Sequence, residues 1–255
     1  GKTALKFFIE VEGWNFLDAA LYLRDLIDKQ PPEIKTNQNT INNRPFRLPE
    51  PNINNAIARN YLMLERGIDK EIVDYCIQNH YLYEAKRDHS IIFIGYDHHH
   101  YPQYAAKRAT SSTLKIDVAG SKKENCFNII NDQSKVLHVF ESAIDLLSYL
   151  TLLKKQGRNY LSENYLSIGG ATILGSHIEE ASVPIALETF LKHNPNIQVI
   201  NLYLDNDKAG KDTTKKIIYH LNNQYIIHDN TPYRVKDMNE LLKKKIKTNI
   251  TIDER

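Results

Sequence analysis

From Val136 to Ile227 four short apolar runs alternate with three segments of helical period. The runs are Val136 to Phe140, Asn164 to Ile168, Gln198 to Leu204 and Gln224 to Ile227, rich in Val, Ile, Leu and Tyr; the helical segments are Ala143 to Lys155, Pro184 to His193 and Lys208 to Leu221. Strands that alternate with helices in this way predict a parallel sheet with right-handed crossovers. Pro184 is acceptable at a first helical position and Asn222 can stop the third helix. In open sheets of this class, ligands collect beyond the carboxyl ends of the strands. Glu141, Gly169-Gly170, Asp205 and Asp207 all fall at such ends.

The most informative corner is Asn201-Leu-Tyr-Leu-Asp205-Asn-Asp207-Lys-Ala-Gly210. Residues i and i+2 of an extended strand share a face, so Asp205 and Asp207 are expected to aim at one point where the strand gives out. Carboxylates held that close repel unless one is protonated or a divalent cation neutralises them. An oxygen-only ligand set suits a hard ion such as Mg²⁺. Taken alone, the pair is also consistent with a polar strand-to-helix turn carrying a helix cap. The upstream partner is Val136-Leu-His-Val-Phe-Glu141-Ser-Ala-Ile-Asp145, where a lone Glu ends a strand and Asp145 sits in the first turn of a helix, a position that suits its charge.

Together these pieces carry a family resemblance. Strand–Glu141–x–x–x–Asp145–helix, then Ile168-Gly169-Gly170, then strand–Asp205–x–Asp207–x–Ala–Gly resembles the Toprim domain of bacterial primases, topoisomerases and some nucleases, and Lys236-Asp237-Met-Asn-Glu-Leu-Leu resembles the closing segment of primase-type Toprim domains. Ser142 stands where a Gly often follows the Glu. The resemblance implies an α/β fold and metal-dependent phosphoryl transfer on nucleic acid, with Asp205 and Asp207 holding Mg²⁺ or Mn²⁺ and Glu141 sharing the ion or moving a proton. Asp145, Gly169, Gly170, Lys208 and Asp237 are implied supporting residues; Asp145 orients the ligands and Lys208 contacts a phosphate. A Toprim nuclease and a non-catalytic nucleic-acid-binding module remain alternatives to the primase-like reading.

The preceding chain divides by composition. Residues 1–29 read as two short amphipathic helices with a turn at Gly13, and resemble the tail of the zinc-ribbon domain of bacterial primases; zinc would then belong to an upstream segment, and the start at Gly1 suits a fragment. Residues 30–50 are rich in Pro and Asn, which is linker chemistry. Residues 51–131 open with two helices, one stopping near Gly67 and one capped by Asp69, followed by a hairpin through Asp97 to Pro102. This small α+β segment resembles the domain that precedes Toprim in primase-like proteins of Gram-positive bacteria and their mobile elements. The Toprim part is expected over residues 132–255. Arg66, Arg108, Lys122 and Lys123 are candidate phosphate contacts, since Arg offers a bidentate fork and Lys a point charge. His98-His99-His100, at a hairpin tip where consecutive side chains diverge, is assigned no role.

Composition bounds the function without choosing it. With 255 residues and a formal net charge of +2, the chain is an ordinary folding length and carries no global basic signal. Its lysine clusters, including Lys243 to Lys247, are the kind usually found on solvated helix faces. Two separated cysteines, Cys76 and Cys126, give neither a disulfide framework nor a zinc spacing, and a reducing cytoplasm is the default. No run is long enough for a membrane span. Single-stranded DNA, nucleotides and a helicase or other replication proteins are the implied partners.

Overall fold

The structure is a computed structural model that describes residues 8–9, 16–29, 45–175 and 177–253. The chain separates into two units, Gly1–Asn43 and Arg44–Arg255. In the first, helix α1 (Phe16–Lys29) buries Ala19 while Phe16 and Leu17 stay exposed. The expected turn at Gly13 lies outside the described residues.

The described part of the second unit begins outside any helix or strand. Phe46 and Leu48 pack against the apolar cluster of Ile92, Ile94 and Ala105, and the Pro49 carbonyl accepts from the Tyr83 hydroxyl at 2.5 Å. The end of the expected linker is therefore held in the fold, because it carries two apolar side chains among its prolines. Helix α2 (Ala56–Asn60) runs into a π-helical turn at Tyr61–Glu65, and helix α3 (Lys70–Gln78) follows. Asp69 caps α3 as expected, accepting from the Glu71 N–H at 2.9 Å.

Strands β1 (Leu82–Glu84), β2 (Ile91–Tyr96), β3 (Pro102–Arg108) and β4 (Lys115–Asp117) form an antiparallel sheet in that order. The expected hairpin is β2–β3, and the two short outer strands extend it. Next come β5 (Asn128–Ile129), β6 (Val136–Phe140), α4 (Ala143–Lys155), β7 (Asn164–Ser167), α5 (Ile185–His193), β8 (Val199–Tyr203), α6 (Lys208–Leu221), β9 (Ile226–Asp229) and α7 (Met238–Asp253). The second sheet has the order β5-β7-β6-β8-β9, with β6 to β9 mutually parallel and β5 antiparallel at the edge. Helices α4 and α6 occupy the expected spans. Pro184 is the N-cap of α5, one place before the expected first helical position, and β9 starts two residues later than expected at Gln224.

Period-two burial explains why this sheet is covered on both faces. Leu137 and Val139 of β6 join Leu187, Phe190, Ile200, Leu202 and Ile217 in one cluster, under α5 and α6. Phe140, on the opposite face, joins Leu147 of α4, Leu242 of α7, and Leu62, Ile72 and Phe93 from the preceding segment. One core thus runs from Ala58 to Leu242 across the 131/132 boundary expected from composition. The antiparallel and parallel sheets are joined by shared apolar burial, with no exposed linker between them. Of the described residues, no helix is long and apolar enough to cross a membrane.

Candidate metal and nucleic-acid site

The parallel strands deliver acidic residues to one edge. Glu141 follows β6 directly; its main-chain carbonyl accepts from the Gly170 N–H at 3.0 Å, and the Ala171 N–H is turned toward its carboxylate. Its Oε2 is buried and has no hydrogen-bond partner. Burial, then the charge of Asp207, raises the Glu141 pKa; Lys115 and Lys236 oppose the rise. A carboxylate that has left water without acquiring its full set of donors is destabilised in its charged form.

Asp205 lies beyond the end of β8 and is 7% exposed. Its pKa is raised to about 8, first by burial and then by Asp145, Glu141 and Asp237. Lys236 relieves part of this with its ammonium 3.7 Å from Asp205 Oδ2. Asp207 has a second employment: it is the N-cap of α6, accepting from the Gly210 N–H at 3.0 Å. The strand ends at Tyr203, so the alternation that would bring Asp205 and Asp207 to one point no longer applies where they stand. Glu141 and Lys236 both feel the two charges. A side chain at Gly210 would bring its Cβ to 2.0 Å from the Asp205 carbonyl oxygen, so glycine is what permits this tight strand-to-helix corner.

Asp145 sits in the first turn of α4, buried, and is held by two donors. Ser142 Oγ donates to its Oδ2 at 2.5 Å, and the Asn239 N–H donates to its Oδ1 at 3.2 Å. Its pKa rises to about 6, chiefly through burial and then Asp237. Ser142, in the place where glycine often follows the Glu, serves here as the N-cap of α4. Asp237 starts α7 in a reciprocal arrangement: its Oδ1 accepts from the Glu240 N–H at 2.7 Å, and Glu240 Oε2 accepts from the Lys236 N–H at 2.7 Å. The Lys236 carbonyl also accepts from the Asn206 N–H at 2.7 Å, which ties the closing segment to the Asp205–Asp207 corner.

The family model described as Toprim-like matches residues 138–242. The chain carries a Toprim-like domain. Upstream, the family described as a protein of unknown function, DUF3991, matches residues 60–133. The uncharacterized protein pXO2-78 of Bacillus anthracis is 26% identical over 231 residues, covering 84% of this chain and 62% of that protein. The match thus spans less than two thirds of the relative's length. Among solved structures, the primase fragment of the bacteriophage T7 primase-helicase protein aligns with a TM-score of 0.52 at 16% identity, covering 73% of this chain and 71% of that one. The DnaG primase catalytic domain bound to ssDNA aligns with a TM-score of 0.47 at 14% identity, covering 77% and 70%. The fold is primase-like.

No three His, Cys, Asp or Glu side chains among the described residues are gathered tightly enough to form a ready-made metal cage. The donor chemistry of the Toprim-like edge nevertheless fits a hard cation, since the groups are all carboxylates, acidic neighbours raise the pKa of Glu141 and Asp205, and Glu141 Oε2 is an unfilled buried acceptor. Glycines close the other side of the edge. Gly169 and Gly170 have φ of +67° and +111°, and a Cβ on Gly169 would meet Cys126 Sγ at 2.9 Å and Tyr104 Oη at 3.0 Å. Lys208 is exposed at the start of α6, 3.2 Å from Asp212 Oδ2.

The basic candidates separate into two groups. Arg66 and Arg108 converge on one oxygen: the Tyr61 hydroxyl accepts from Arg66 Nε at 2.9 Å, Arg66 Nη2 at 2.5 Å and Arg108 Nε at 3.1 Å. Arg66 Nη1 also donates to Asn239 Oδ1 at 3.2 Å, and Asn239 is the residue that holds Asp145. The π-helical turn presents Tyr61 at this junction. The second group is Lys122, which is exposed, and Lys123, which packs its Cε 3.3 Å from where a Gly169 Cβ would stand. Sequence reasoning missed Lys115, on edge strand β4, and did not assign Lys236 a role, although both charges act on Glu141. Only the tertiary fold brings them there. The three histidines stay exposed at the β2–β3 tip, with His98 stacked on His193 of α5 at 4.6 Å.

Proposed function

We propose that this chain is the catalytic portion of a primase-like enzyme that joins nucleotides on a single-stranded DNA template, using Mg²⁺ or Mn²⁺, in replication or transfer of a mobile element. The observation that carries this reading is the crowding of Glu141, Asp145, Asp205 and Asp237 at one sheet edge with an orphaned carboxylate oxygen among them. Asp205, Asp207 and Glu141 would hold the ion, which when bound offsets negative charge developing on the transferred phosphate. Glu141, with its raised pKa, is suited to accept the proton of an attacking hydroxyl. Asp145 orients the edge through Ser142 and Asn239. Arg66 and Arg108 supply an adjacent pair of guanidiniums for phosphate oxygens, while Lys115, Lys122 and Lys123 form a basic margin for a nucleic-acid backbone.

The plasmid-borne relative in Bacillus anthracis supports the mobile-element setting. The test is incubation of the full-length protein with single-stranded DNA, labelled nucleotides and Mg²⁺ or Mn²⁺. Growth of labelled strands is expected. Shortened strands would replace the reading with a nuclease, and unchanged strands with a binding module.

A further inference from the structure

After β7, the chain leaves the sheet through Gly169 and Gly170, and the described residues before α5 form no helix or strand. Its first residues face Glu141 twice: the Gly170 N–H donates to the Glu141 carbonyl at 3.0 Å, and the Ala171 N–H is turned toward its carboxylate and lowers the Glu141 pKa. The next residue is fastened to α6. The Thr172 N–H donates to Thr213 Oγ1 at 3.0 Å, and Thr213 Oγ1 donates back to the Thr172 carbonyl at 3.1 Å. Two residues on, the Leu174 N–H donates to Asp212 Oδ2 at 3.2 Å.

Lys216 completes the fastening at a cost that packing does not require. It is 4% exposed, and among the described residues it makes no ion pair. Lysine is rarely buried, and an ammonium removed from water needs compensating acceptors. Here the hydrogen-bonding compensation is Thr172, with Lys216 Nζ donating to its carbonyl at 3.0 Å and its Oγ1 at 2.5 Å, and the charge of Asp212 adds to it. An apolar residue of similar length would fill the same space without desolvating a charge. Helix α6, which carries Lys216, is the helix that Asp207 caps.

We propose that Lys216 is a positioning residue that clamps Thr172 to α6, so that the Ala171 N–H holds the Glu141 carboxylate at a fixed reach from Asp205 and Asp207. The inference rests on the metal-site reading above. Two sets of ligands that arrive on different strands need a tie, and outer partners of metal ligands typically alter affinity by about tenfold to about a hundredfold when lost. Lys216 itself touches neither the ion nor a substrate.

The test compares the full-length protein with Lys216→Met, Thr172→Val and Thr172→Ser. Amide hydrogen exchange over residues 170–174 and Mn²⁺ affinity by calorimetry are measured without nucleotide or DNA. Lys216→Met should speed exchange in that segment at least tenfold while β2 and β3 stay protected, and should weaken Mn²⁺ by about tenfold or more. Thr172→Val should do the same to a smaller degree, and Thr172→Ser, which keeps the hydroxyl, should restore both. If Lys216→Met does not fold, the two exposed Thr172 variants decide. Unchanged exchange overturns the clamp. Faster exchange with wild-type Mn²⁺ affinity overturns its role in positioning Glu141. A wild-type protein that takes up no Mn²⁺ refutes the metal-site reading and with it the positioning role, whereas the exchange data separately decide the clamp.

Discussion

Glu84 and Asp205 are both carboxylates withdrawn from water, at 1% and 7% exposure, and they are treated in opposite ways. Glu84, at the end of β1, accepts from the Ile57 N–H at 2.9 Å, the Ala58 N–H at 3.0 Å and Asn52 Nδ2 at 2.7 Å, and pairs with His89 Nδ1 at 2.6 Å. Burial is the largest single influence on it and pushes its pKa up, yet the donors together bring the net shift below the ordinary value. Asp205 has burial and three acidic neighbours, answered only by Lys236, and its pKa goes up to about 8. The same side-chain chemistry is a structural tie where donors are supplied and a proton-retaining group where they are withheld. The difference separates a carboxylate that holds α2 to the antiparallel sheet from one whose charge its surroundings leave largely uncompensated.

The largest effect that this contrast predicts is catalytic. Glu141→Gln should lower strand growth by at least about 10²-fold while leaving single-stranded DNA affinity close to wild type, measured by product formation and by fluorescence anisotropy. Asp205→Asn with Asp207→Asn should abolish the heat of Mn²⁺ binding. Glu84→Gln should leave turnover per folded molecule unchanged. Equal losses of turnover in Glu84→Gln and Glu141→Gln would show that both acids are structural.

Stability should divide the other way. Glu84→Gln removes a charged acceptor from two main-chain N–H groups and two side chains, and should cost roughly 1–3 kcal/mol in denaturant unfolding. Asp205→Asn removes repulsion and should leave the metal-free protein as stable as wild type or more so. A destabilised Asp205→Asn would break the distinction.

The pH dependence follows with opposite signs. Glu84 has a lowered pKa, so its contribution is present above the unfolded carboxylate range and is lost as pH falls through its folded value. For Asp205 the folded pKa of about 8 lies above the ordinary 3.8, so between those values the folded state holds a proton that the unfolded state has released. Its contribution to metal-free stability therefore declines as pH rises from about 4 to about 8. Denaturation midpoints across this range should decline less steeply in Asp205→Asn than in wild type. Parallel pH profiles for the two proteins would show that Asp205 is not the proton holder.

Much of the acidic edge was legible because its signals are local. Glu141, Asp205 and Asp207 each end or follow a strand, and the spans of α4 and α6 follow from helical period and N-caps that sequence alone displays. What was not legible depends on distant packing or on elements too short to have a pattern. Strands β1, β4 and β5 have three, three and two residues. Lys236 faces Asp205 only because the Asn206 N–H binds the Lys236 carbonyl, and Arg66 and Arg108 meet only because both reach Tyr61. The split between Asp205 and Asp207 escaped the alternation rule because both residues lie past the last paired residue of β8.

The smallest predicted effect tests whether the contrast is graded. Asp145 stands between the extremes, with two donors and a pKa of about 6, against Glu84 below its ordinary range and Asp205 near 8. One of its donors is Ser142 Oγ, which lowers the Asp145 pKa and also caps α4. Ser142→Gly withdraws that donor while keeping a residue tolerated at an N-cap, so at acidic pH, where the Asp145 carboxyl is protonated folded and unfolded, the cost in unfolding free energy should be only about 0.3 kcal/mol. The Asp145 pKa, followed by carbon NMR of its carboxyl group, should nevertheless move upward from about 6 toward the value of Asp205. An unmoved Asp145 would mean that burial and acidic neighbours alone set the pKa values at this edge, and that the number of donors does not order them.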